Sequence, residues 1–378
     1  MEIAFLIRSL NYGGAERQLV TLVKALDKKR LNTTVLVFYS GGTLAQELKD
    51  SGIQLISLEK RGRWDVVSFW WRLFQQLKRI NPDALHSYLG VPNLLTIFLK
   101  PLLPSTKMIW GVRASNVDWS RYDWLSHLSF QLECLFSRFA DLIIVNSNAG
   151  RVYHQDHGFP EQKMIVIPNG IDTERFKPNS GDRVRLRAEW RIPEETILIG
   201  LVGRLDPMKD HPTFLKTAAL MCQQRQNIYF VCVGSGAESY TQTLYQLTRD
   251  LNISEQLIWA GVRSDMPVVY NALDIDVSSS YGEGFPNVIG EAMACGVPCV
   301  VTDVGDSAWI VGDTGMVVPP KDPELLKAAI EKLIERIHSD AYNNNLIRQR
   351  VIEKFSLLQL VTKTQTTLLE LVYGFQQK

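Results

Sequence analysis

Short apolar runs rich in β-branched residues alternate with helix-like stretches along nearly the whole chain. Several runs are apolar without alternation, which is typical of a parallel strand covered on both faces. In the first half the predicted strands are Ile3–Ile7, Thr34–Tyr39, Gln54–Leu58, Ala84–Tyr88, Met108–Val112, Leu142–Asn146 and Met164–Ile167. In the second half they are Ile197–Val202, Tyr229–Val233, Leu257–Trp259, Ile275–Ser278, Pro298–Thr302 and Gly315–Val318. This alternation predicts an α/β protein built on doubly wound parallel sheets.

The two sets of strands predict two Rossmann-like domains, which is consistent with a length of 378 residues. Between the sets, residues 168–182 are rich in Asn, Gly, Pro and charge and are predicted to be a linker. We expect an N-terminal domain over residues 1–170 and a C-terminal domain over residues 185–355. The helical stretch 357–378 has no strand after it, and we expect it to pack on the first domain. Ligands of open sheets bind beyond the carboxyl ends of the strands, so the two domains would face each other across a ligand-binding cleft.

The composition is that of an ordinary globular protein, with 46% hydrophobic and 21% charged residues. Residues 1–180 hold 22 Lys and Arg against 16 Asp and Glu, and the remainder holds 19 against 24. A mildly basic first half suits a phosphate-bearing or membrane-surface partner, with chance variation as the alternative, and no basic run is dense enough to indicate nucleic acid. The five cysteines are scattered, and we recognise neither a signal peptide nor an apolar span. These features predict a cytoplasmic protein.

A glycine pair, Gly13-Gly14, follows the first predicted strand and opens a helix. Glycines at this position let the backbone approach a ligand closely, and free N–H groups at a helix start favour an anion. The pair lacks the G-x-G-x-x-G spacing of dinucleotide-binding dehydrogenases, which disfavours that class. An ordinary strand–helix turn is the alternative.

Arg204 and Lys209 lie on one loop after the strand Ile197–Val202. Two cations five residues apart can both reach a diphosphate, because arginine binds it in a bidentate manner and lysine acts as a point charge. The alternative is a solvated basic loop.

The most informative segment is Ser280–Glu291, which follows another predicted strand and carries Glu283 and Glu291. Pro286 is predicted to be the first residue of a helix, whose free N–H groups would point toward phosphate or sugar oxygens. The two carboxylates can accept hydrogen bonds from hydroxyls on different parts of one ligand. A capped helix with two surface glutamates is the alternative.

In combination, these motifs resemble the retaining glycosyltransferases of family 4, also called group 1, which have the GT-B fold. The resemblance rests on the E-x7-E spacing of Glu283 and Glu291, the loop 204–209 and the glycine pair. It is strengthened by Val166–Asp172, Pro82–His86 and Val233–Gly236, and the motifs keep the family's order from residue 3 to about 318. It implies an enzyme that needs no cofactor and moves a hexose or N-acetylhexosamine from a nucleotide-sugar, with UDP favoured. The acceptor would be a glycan or lipid-linked precursor of lipopolysaccharide or another cell-surface polysaccharide.

The resemblance also implies roles for individual residues. Arg204 and Lys209 would neutralise the donor diphosphate as the bond to the sugar breaks, and Glu283 would contact hydroxyls of the transferred sugar. Glu291 would hold the ribose, and Gly14 would approach the phosphates. The usual proposal for the family is front-face departure and attack, so no nucleophile is assigned. The remaining donor-binding candidates are Gly13, Val262, Arg263, Gly284, Phe285, Pro286 and Asn287.

The acceptor side departs from the family pattern, because this chain has Arg113 where many members carry a histidine. Arg113 would bind a phosphate on the acceptor or pair with an acidic residue. His86 ends another predicted strand and is the second acceptor-side candidate, with a packed core histidine as the alternative. The same two-domain architecture also leaves open a nucleotide-sugar epimerase and a non-catalytic sugar-nucleotide binding protein.

Asp274-Ile275-Asp276 has the form of a D-x-D metal motif. It enters an apolar strand, so we expect both aspartates near the strand's start and away from its carboxyl end. Because Arg204 and Lys209 already supply positive charge, we expect no metal and activity without divalent cations.

A stripe of large apolar residues lies at helical spacing, flanked by basic residues. One interpretation is an ordinary core-facing helix. The other is a membrane-surface helix that would hold the protein at the inner face of the membrane and present a lipid-linked acceptor. The apolar members are Trp64, Val67, Trp70, Trp71 and Phe74, and the basic ones are Lys60, Arg61, Arg63, Lys78 and Arg79.

Overall fold

The computed structural model describes residues 1–11, 13–62, 64–113, 115, 123–339 and 343–374. Arg63 and residues 375–378, which belong to two of the predictions above, lie outside this part of the chain. The structure divides into two compact units. Unit 1 comprises Met1–Gly170 and the C-terminal segment from Leu357, and unit 2 comprises Ile171–Ser356.

Unit 1 is built on a parallel sheet whose described strands lie in the order β3-β2-β1-β4-β5-β6-β7. The central strand β1 is buried from Ile3 to Ile7, as expected for a strand covered by helices on both faces. The strands are β1 Glu2–Ile7, β2 Asn32–Val37, β3 Gln54–Ser57, β4 Ala84–Tyr88, β5 Lys107–Val112, β6 Leu142–Val145 and β7 Met164–Val166. The helices within the first 170 residues are α1 Gly14–Ala25, α2 Ala45–Asp50, α3 Val67–Ile80, α4 Gly90–Leu99, α5 Trp124–Phe136 and α6 Asn148–Asp156.

Unit 2 has a second parallel sheet, whose described strands lie in the order β10-β9-β8-β11-β12-β13. Its strands are β8 Ile197–Val202, β9 Ile228–Val233, β10 Leu257–Gly261, β11 Ile275–Ser278, β12 Cys299–Thr302 and β13 Met316–Val318. Its helices are α7 Ser180–Glu189, α8 His211–Cys222, α9 Glu238–Asp250, α10 Met266–Ala272, α11 Asn287–Ala294, α12 Ser307–Val311, α13 Pro323–Ile337 and α14 Asn344–Phe355. Two doubly wound Rossmann-like sheets confirm the predicted fold class.

The chain crosses between the units twice, after Gly170 and after Ser356. Unit 2 therefore begins earlier than the predicted residue 185, because Phe176 is buried in its core and Asn179 caps α7. The final helix, α15 Leu357–Tyr373, belongs to unit 1, where Leu360, Val361 and Leu368 join the hydrophobic core.

Helix α3 buries a different face from the one that the predicted stripe would bury. Phe69, Leu73 and Leu77 form its buried face, and Trp70 and Phe74 lie half-buried at the edge of the core. The remaining stripe residues Trp64, Val67 and Trp71 are 89%, 82% and 52% exposed. The core-facing interpretation therefore holds for Trp70 and Phe74 and is wrong for these three. The reason is a second apolar row, Phe69, Leu73 and Leu77, whose members are four residues apart and occupy the core position.

Candidate active site

In unit 2, two loops that carry predicted site residues follow neighbouring strands. Strands β8 and β11 pair in parallel, with Ile199 opposite Ile275, so their carboxyl ends lie at the same edge of the sheet. The loop after β8 carries Arg204 and Lys209, and the loop after β11 carries Glu283. The two loops are joined where the Tyr281 N–H donates to the Met208 carbonyl at 3.0 Å. The tertiary structure thus brings the three predicted catalytic residues to one edge.

Lys209 and Glu283 form an ion pair between Lys209 Nζ and Glu283 Oε1. The same carboxylate oxygen accepts a hydrogen bond from Ser280 Oγ at 2.7 Å, and Ser279 Oγ donates to the Lys209 carbonyl at 2.9 Å. Both side chains of the pair are largely buried, at 16% and 10% exposure. Burial strengthens the attraction between the charges, so the ion pair joins the loop after β8 to the loop after β11.

Arg204 lies on the same loop but in a different environment. Its side chain is exposed, and no ion pair joins it to another residue of the described chain. Asp206, two residues on, instead uses its carboxylate to accept the Met208 N–H at 2.9 Å, which shapes the turn that leads to Lys209. The guanidinium of Arg204 is therefore available to an anionic ligand.

Two glycines let the backbone of these loops pack closely: Gly236, which belongs to the Val233–Gly236 motif, and Gly305, which the sequence analysis missed. A side-chain Cβ at Gly236 would lie 1.9 Å from the Leu205 carbonyl oxygen. Gly305 has a φ of +56°, and a Cβ there would lie 2.4 Å from the Glu283 carbonyl oxygen. The next residue, Asp306, donates its N–H to the Gly284 carbonyl at 2.9 Å. The loop after β12 thus supports the loop that carries Glu283.

Helix α11 begins at Asn287, one residue later than predicted, and Pro286 is its N-cap residue. No side chain caps this helix start, and the Ile289 N–H donates to the Pro286 carbonyl at 3.3 Å. Glu291 lies on the second turn, where its Oε2 accepts a hydrogen bond from the Tyr270 hydroxyl at 3.1 Å. Burial raises the pKa of Tyr270 well above its usual value, so the phenol stays protonated and keeps donating.

The predicted base-contacting loop after β10 has one exposed and one engaged residue. Val262 is 74% exposed. Arg263 forms ion pairs with Asp265 at 2.7 Å and with Glu189 at 2.8 Å, and its guanidinium lies 5.9 Å from the centroid of the Trp190 ring. Its charge is therefore satisfied within unit 2, which leaves it a structural role in shaping the loop.

In unit 1, the glycine pair lies at the start of α1, with Gly13 as the N-cap residue. No side chain caps this helix start either. A Cβ at Gly14 would meet no atom within 4 Å, so the backbone is open on this side, whereas the Glu16 carboxylate lies against Gly13. Gly14 is therefore the residue of the pair whose backbone a ligand can approach.

The two acceptor-side candidates have different surroundings in unit 1. His86 is fully buried, with its ring 5.4 Å from that of Phe5 and 4.7 Å from that of Tyr88, which fits a packed core histidine. Arg113 follows β5 and is half-buried. It donates to Asn169 Oδ1 at 2.8 Å and to the Tyr88 hydroxyl at 3.0 Å.

The aspartates of the D-x-D sequence lie at the start of β11, as expected. Asp274 precedes the strand and pairs with Arg183 at 2.7 Å and with Arg187, while accepting the Leu198 N–H at 2.7 Å. Asp276 is buried, and burial raises its pKa well above the usual value. Across the described residues, no three His, Cys, Asp or Glu side chains cluster in a way that would hold a metal ion.

Comparison with known families assigns both halves of the chain. Residues 196–336 match the family described as Glycosyl transferases group 1, and residues 12–175 match the family described as Glycosyltransferase Family 4. This chain is a family 4 glycosyltransferase. The sites of this glycosyltransferase described above fall within the two matched regions, and the predicted enzyme class is confirmed.

Individual relatives agree with this assignment. Over 314 residues the glycosyltransferase is 27% identical to the UDP-Gal:α-D-GlcNAc-diphosphoundecaprenol α-1,3-galactosyltransferase of Escherichia coli, covering 79% of this chain and 78% of that enzyme. It is 35% identical over 208 residues to the D-inositol 3-phosphate glycosyltransferase of Corynebacterium jeikeium, covering 52% and 49% of the two chains. The crystal structure of Anabaena HepE in complex with UDP superimposes with a TM-score of 0.86 at 22% identity, covering 97% and 99%. HepE has also been solved with UDP-glucose.

Sequence analysis of this glycosyltransferase missed several supporting residues, namely Tyr270, Ser279, Thr302 and Gly305. Thr302 Oγ1, for example, donates to the Ser280 carbonyl at 2.5 Å and so fixes the loop that carries Glu283. These residues belong to common types at unremarkable spacings, and only their packing against Glu283 and Glu291 distinguishes them.

Proposed function

We propose that this glycosyltransferase transfers a hexose or N-acetylhexosamine from a UDP-sugar, with retention of configuration, to a glycan or lipid-linked acceptor of cell-surface polysaccharide synthesis. The observation that carries the proposal is the Lys209–Glu283 ion pair, held at the carboxyl edge of the unit 2 sheet beside the loop of Arg204. The UDP complexes of HepE and the UDP-galactose donor named for the Escherichia coli relative favour UDP. The undecaprenol acceptor of that relative favours a lipid-linked acceptor, with lipopolysaccharide as one such product.

We propose that different residues of unit 2 bind different parts of the nucleotide-sugar donor. Arg204 binds the diphosphate through its free guanidinium, and Lys209 turns from Glu283 toward the phosphate as negative charge grows there. Glu283, released from part of its ion pair, accepts hydrogen bonds from hydroxyls of the transferred sugar. The backbone N–H groups of Gly284, Phe285 and Asn287 receive phosphate or sugar oxygens, with Pro286 restricting the backbone between them. Glu291 binds the ribose hydroxyls, and Val262 and Arg263 border the base.

Gly13 and Gly14 in unit 1 are proposed as a further phosphate-contacting segment, because α1 begins there without a side-chain cap. We propose that the reaction needs no divalent metal, since Arg204 and Lys209 supply the charge that a metal would supply. Full loss of activity in a chelator, restored by manganese, would contradict this part of the proposal.

The donor assignment is tested by thermal unfolding of the pure protein with UDP-, GDP- and ADP-sugars. A ligand at 100 times its dissociation constant stabilises the folded protein by about 2.7 kcal/mol, which gives a visible rise in the midpoint. We expect this rise with UDP-sugars and expect it to be lost in Glu291→Ala. The control is Glu353→Ala on α14, which removes a carboxylate outside the proposed site. A rise with another nucleotide class alone would contradict UDP, and no rise with any of them would contradict the donor site.

We also propose peripheral association with the inner face of the membrane through the exposed residues Trp64, Val67 and Trp71. Exposed aromatic residues flanked in the sequence by Lys60, Arg61, Lys78 and Arg79 suit an anionic bilayer surface. No helix of the described chain has the length and apolar character needed to cross a membrane. The test is flotation with anionic liposomes, in which we expect wild type to float and the double variant Trp64→Ser/Trp71→Ser not to. Leu346→Ser, at an exposed position of unit 2, is the control. Failure of the wild-type protein to float would refute the proposal.

A further inference from the structure

Arg113 is a half-buried cation whose hydrogen-bond partners within the described chain are neutral. Its Nη1 donates to Asn169 Oδ1 at 2.8 Å, and its Nη2 donates to the Tyr88 hydroxyl at 3.0 Å. Its Nε is buried and makes no hydrogen bond to the residues that the structure describes. A guanidinium has five N–H donors, and the two bonds above therefore leave most of them unused.

Among the residues that the structure describes, the groups around the guanidinium carry no compensating charge. Burial, together with the positive charge of Arg113, holds the pKa of His86 well below its usual value, so the imidazole is neutral. Burial raises the pKa of Tyr88, so its phenol stays protonated. Its ring also lies 4.7 Å from the Arg113 guanidinium carbon. No Asp or Glu of the described chain forms an ion pair with Arg113.

A cation withdrawn from water without an opposite charge is unfavourable, and the described contacts of Arg113 do not offset that cost. An oxyanion ligand would offset this cost, because the planar fork of N–H groups on the guanidinium matches the geometry of carboxylate and phosphate. The Tyr88 hydroxyl accepts from Arg113 and still has its own hydrogen to donate to the same ligand. Asn169 and Tyr88 thus hold the guanidinium in place while leaving it the donors that an anion requires.

We propose that Arg113, positioned by Tyr88 and Asn169, forms an oxyanion-binding subsite in unit 1 that selects a sugar substrate carrying a carboxylate or phosphate group. This proposal rests on the proposed function, because it assumes a sugar substrate. The oxyanion has two sources, a carboxylate on the transferred sugar or a phosphate on the acceptor. Both groups would bind the guanidinium in the same way, and the experiment distinguishes them by using a different probe molecule for each.

The experiment uses the full chain as wild type, Arg113→Gln and a matched control, Arg138→Gln. Arg138 is exposed in the same unit and donates through Nε only to the Leu135 carbonyl. In the first arm, calorimetry compares the affinities of UDP-glucuronate and UDP-glucose. In the second arm, the protein saturated with UDP is titrated with glucose 6-phosphate and with glucose. Loss of a charge-assisted bidentate contact corresponds to a weakening of about 10- to 100-fold.

A preference for the anionic probe in either arm supports the subsite and identifies its source, provided that Arg113→Gln loses the preference and Arg138→Gln keeps it. Equal affinity for the anionic and neutral probes in both arms, with UDP still bound, overturns the subsite and leaves the donor assignment intact. Absence of UDP binding by the wild type overturns both. Because Arg113→Gln removes an uncompensated charge, we expect it to fold with an unchanged or higher unfolding midpoint. Tyr88→Phe is the second variant, and it should weaken the preference through loss of the positioning hydroxyl.

Discussion

The Tyr270 hydroxyl donates a hydrogen bond to Glu291 Oε2 at 3.1 Å, and this contact joins α10 to α11 inside unit 2. Tyr270 is fully buried, so its ring has one fixed position from which to orient the carboxylate. Glu291 is the residue we propose to hold the donor ribose. The contact therefore makes Tyr270 a positioning residue for nucleotide binding, although it lies 21 residues away in the sequence.

The first prediction concerns this contact. We expect Tyr270→Phe to weaken UDP binding by about 3- to 10-fold, because a typical hydrogen bond contributes roughly 1 kcal/mol of net free energy. Calorimetric titration with UDP measures the change. Tyr245→Phe on α9 is the matched control, since its ring packs against Trp259 at 5.0 Å outside the proposed site. Equal affinity of Tyr270→Phe and wild type would remove the positioning role.

The second prediction separates the two cations of the donor loop. Arg204 makes no ion pair within the described chain, so Arg204→Ala should change the free energy of unfolding by less than about 0.5 kcal/mol. Lys209→Ala leaves the largely buried Glu283 unpaired and should destabilise unit 2 measurably. Each should lower the rate of donor turnover by about 100-fold or more. UDP release from the donor and urea unfolding provide the two measurements. Full activity of Arg204→Ala would contradict its assignment to the diphosphate.

The third prediction concerns the backbone packing behind Glu283. Gly305→Ala must place its Cβ against the Glu283 carbonyl oxygen and keep a φ of +56°, so we expect a loss of about 2 to 4 kcal/mol in unfolding free energy and loss of UDP binding. Gly52→Ala is the control, because its φ of +70° carries a similar conformational cost but its Cβ would meet no atom within 4 Å. Urea denaturation compares the two variants. If Gly52→Ala proves equally damaging, the steric explanation fails.

The fourth prediction is a pH dependence of stability set by Glu133. This carboxyl is buried in unit 1, where its Oε1 accepts from Asn93 Nδ2 at 2.8 Å, and burial raises its pKa from 4.5 to about 7. Below pH 4.5 both folded and unfolded states hold the proton. Between pH 4.5 and 7 the unfolded chain ionises first, so stability falls as pH rises, by about 3 kcal/mol in total.

The matched variant for this prediction is Glu133→Gln, which keeps the oxygen that accepts from Asn93 but cannot ionise. We compare the unfolding free energy of this variant with that of wild type at each pH. We expect the variant's advantage to be larger at pH 8 than at pH 5. The difference between the two pH values is the quantity to measure, by urea unfolding at fixed ionic strength. Parallel pH profiles for the two proteins would show that the pKa of Glu133 is the same in the folded and unfolded states.

Much of the fold follows from local sequence. An apolar run such as Ile197–Val202 has to be covered on both faces, and the alternation of such runs with helical stretches leaves parallel α/β sheets as the architecture. The helix start between Glu283 and Glu291 could also be predicted, because a proline and a loop that follows a strand indicate where the helix begins. The helix begins at Asn287 rather than Pro286, and such one-residue differences at helix ends are common.

The face that α3 buries could not be read from periodicity alone. Residues 64–80 contain two apolar rows, one with Phe69, Leu73 and Leu77 and one with the exposed residues Trp64, Val67 and Trp71, of which Trp64 precedes the helix. Both rows satisfy the spacing of a core-facing helix. Which row meets the sheet depends on how the helix is rotated about its own axis, and that rotation is set by packing against residues distant in the sequence.

The sequence by itself determined the fold class, the order of the strands along the chain and the residue types able to bind a sugar nucleotide. These depend on periodicity and on chemistry that neighbouring residues carry. Only the tertiary structure decided that Lys209 pairs with Glu283, that Tyr270 orients Glu291 and that Arg113 stands among neutral partners. Each of these relationships joins residues from separate strands or helices, whose distances are fixed by sheet order and packing, and no local pattern in the chain encodes them.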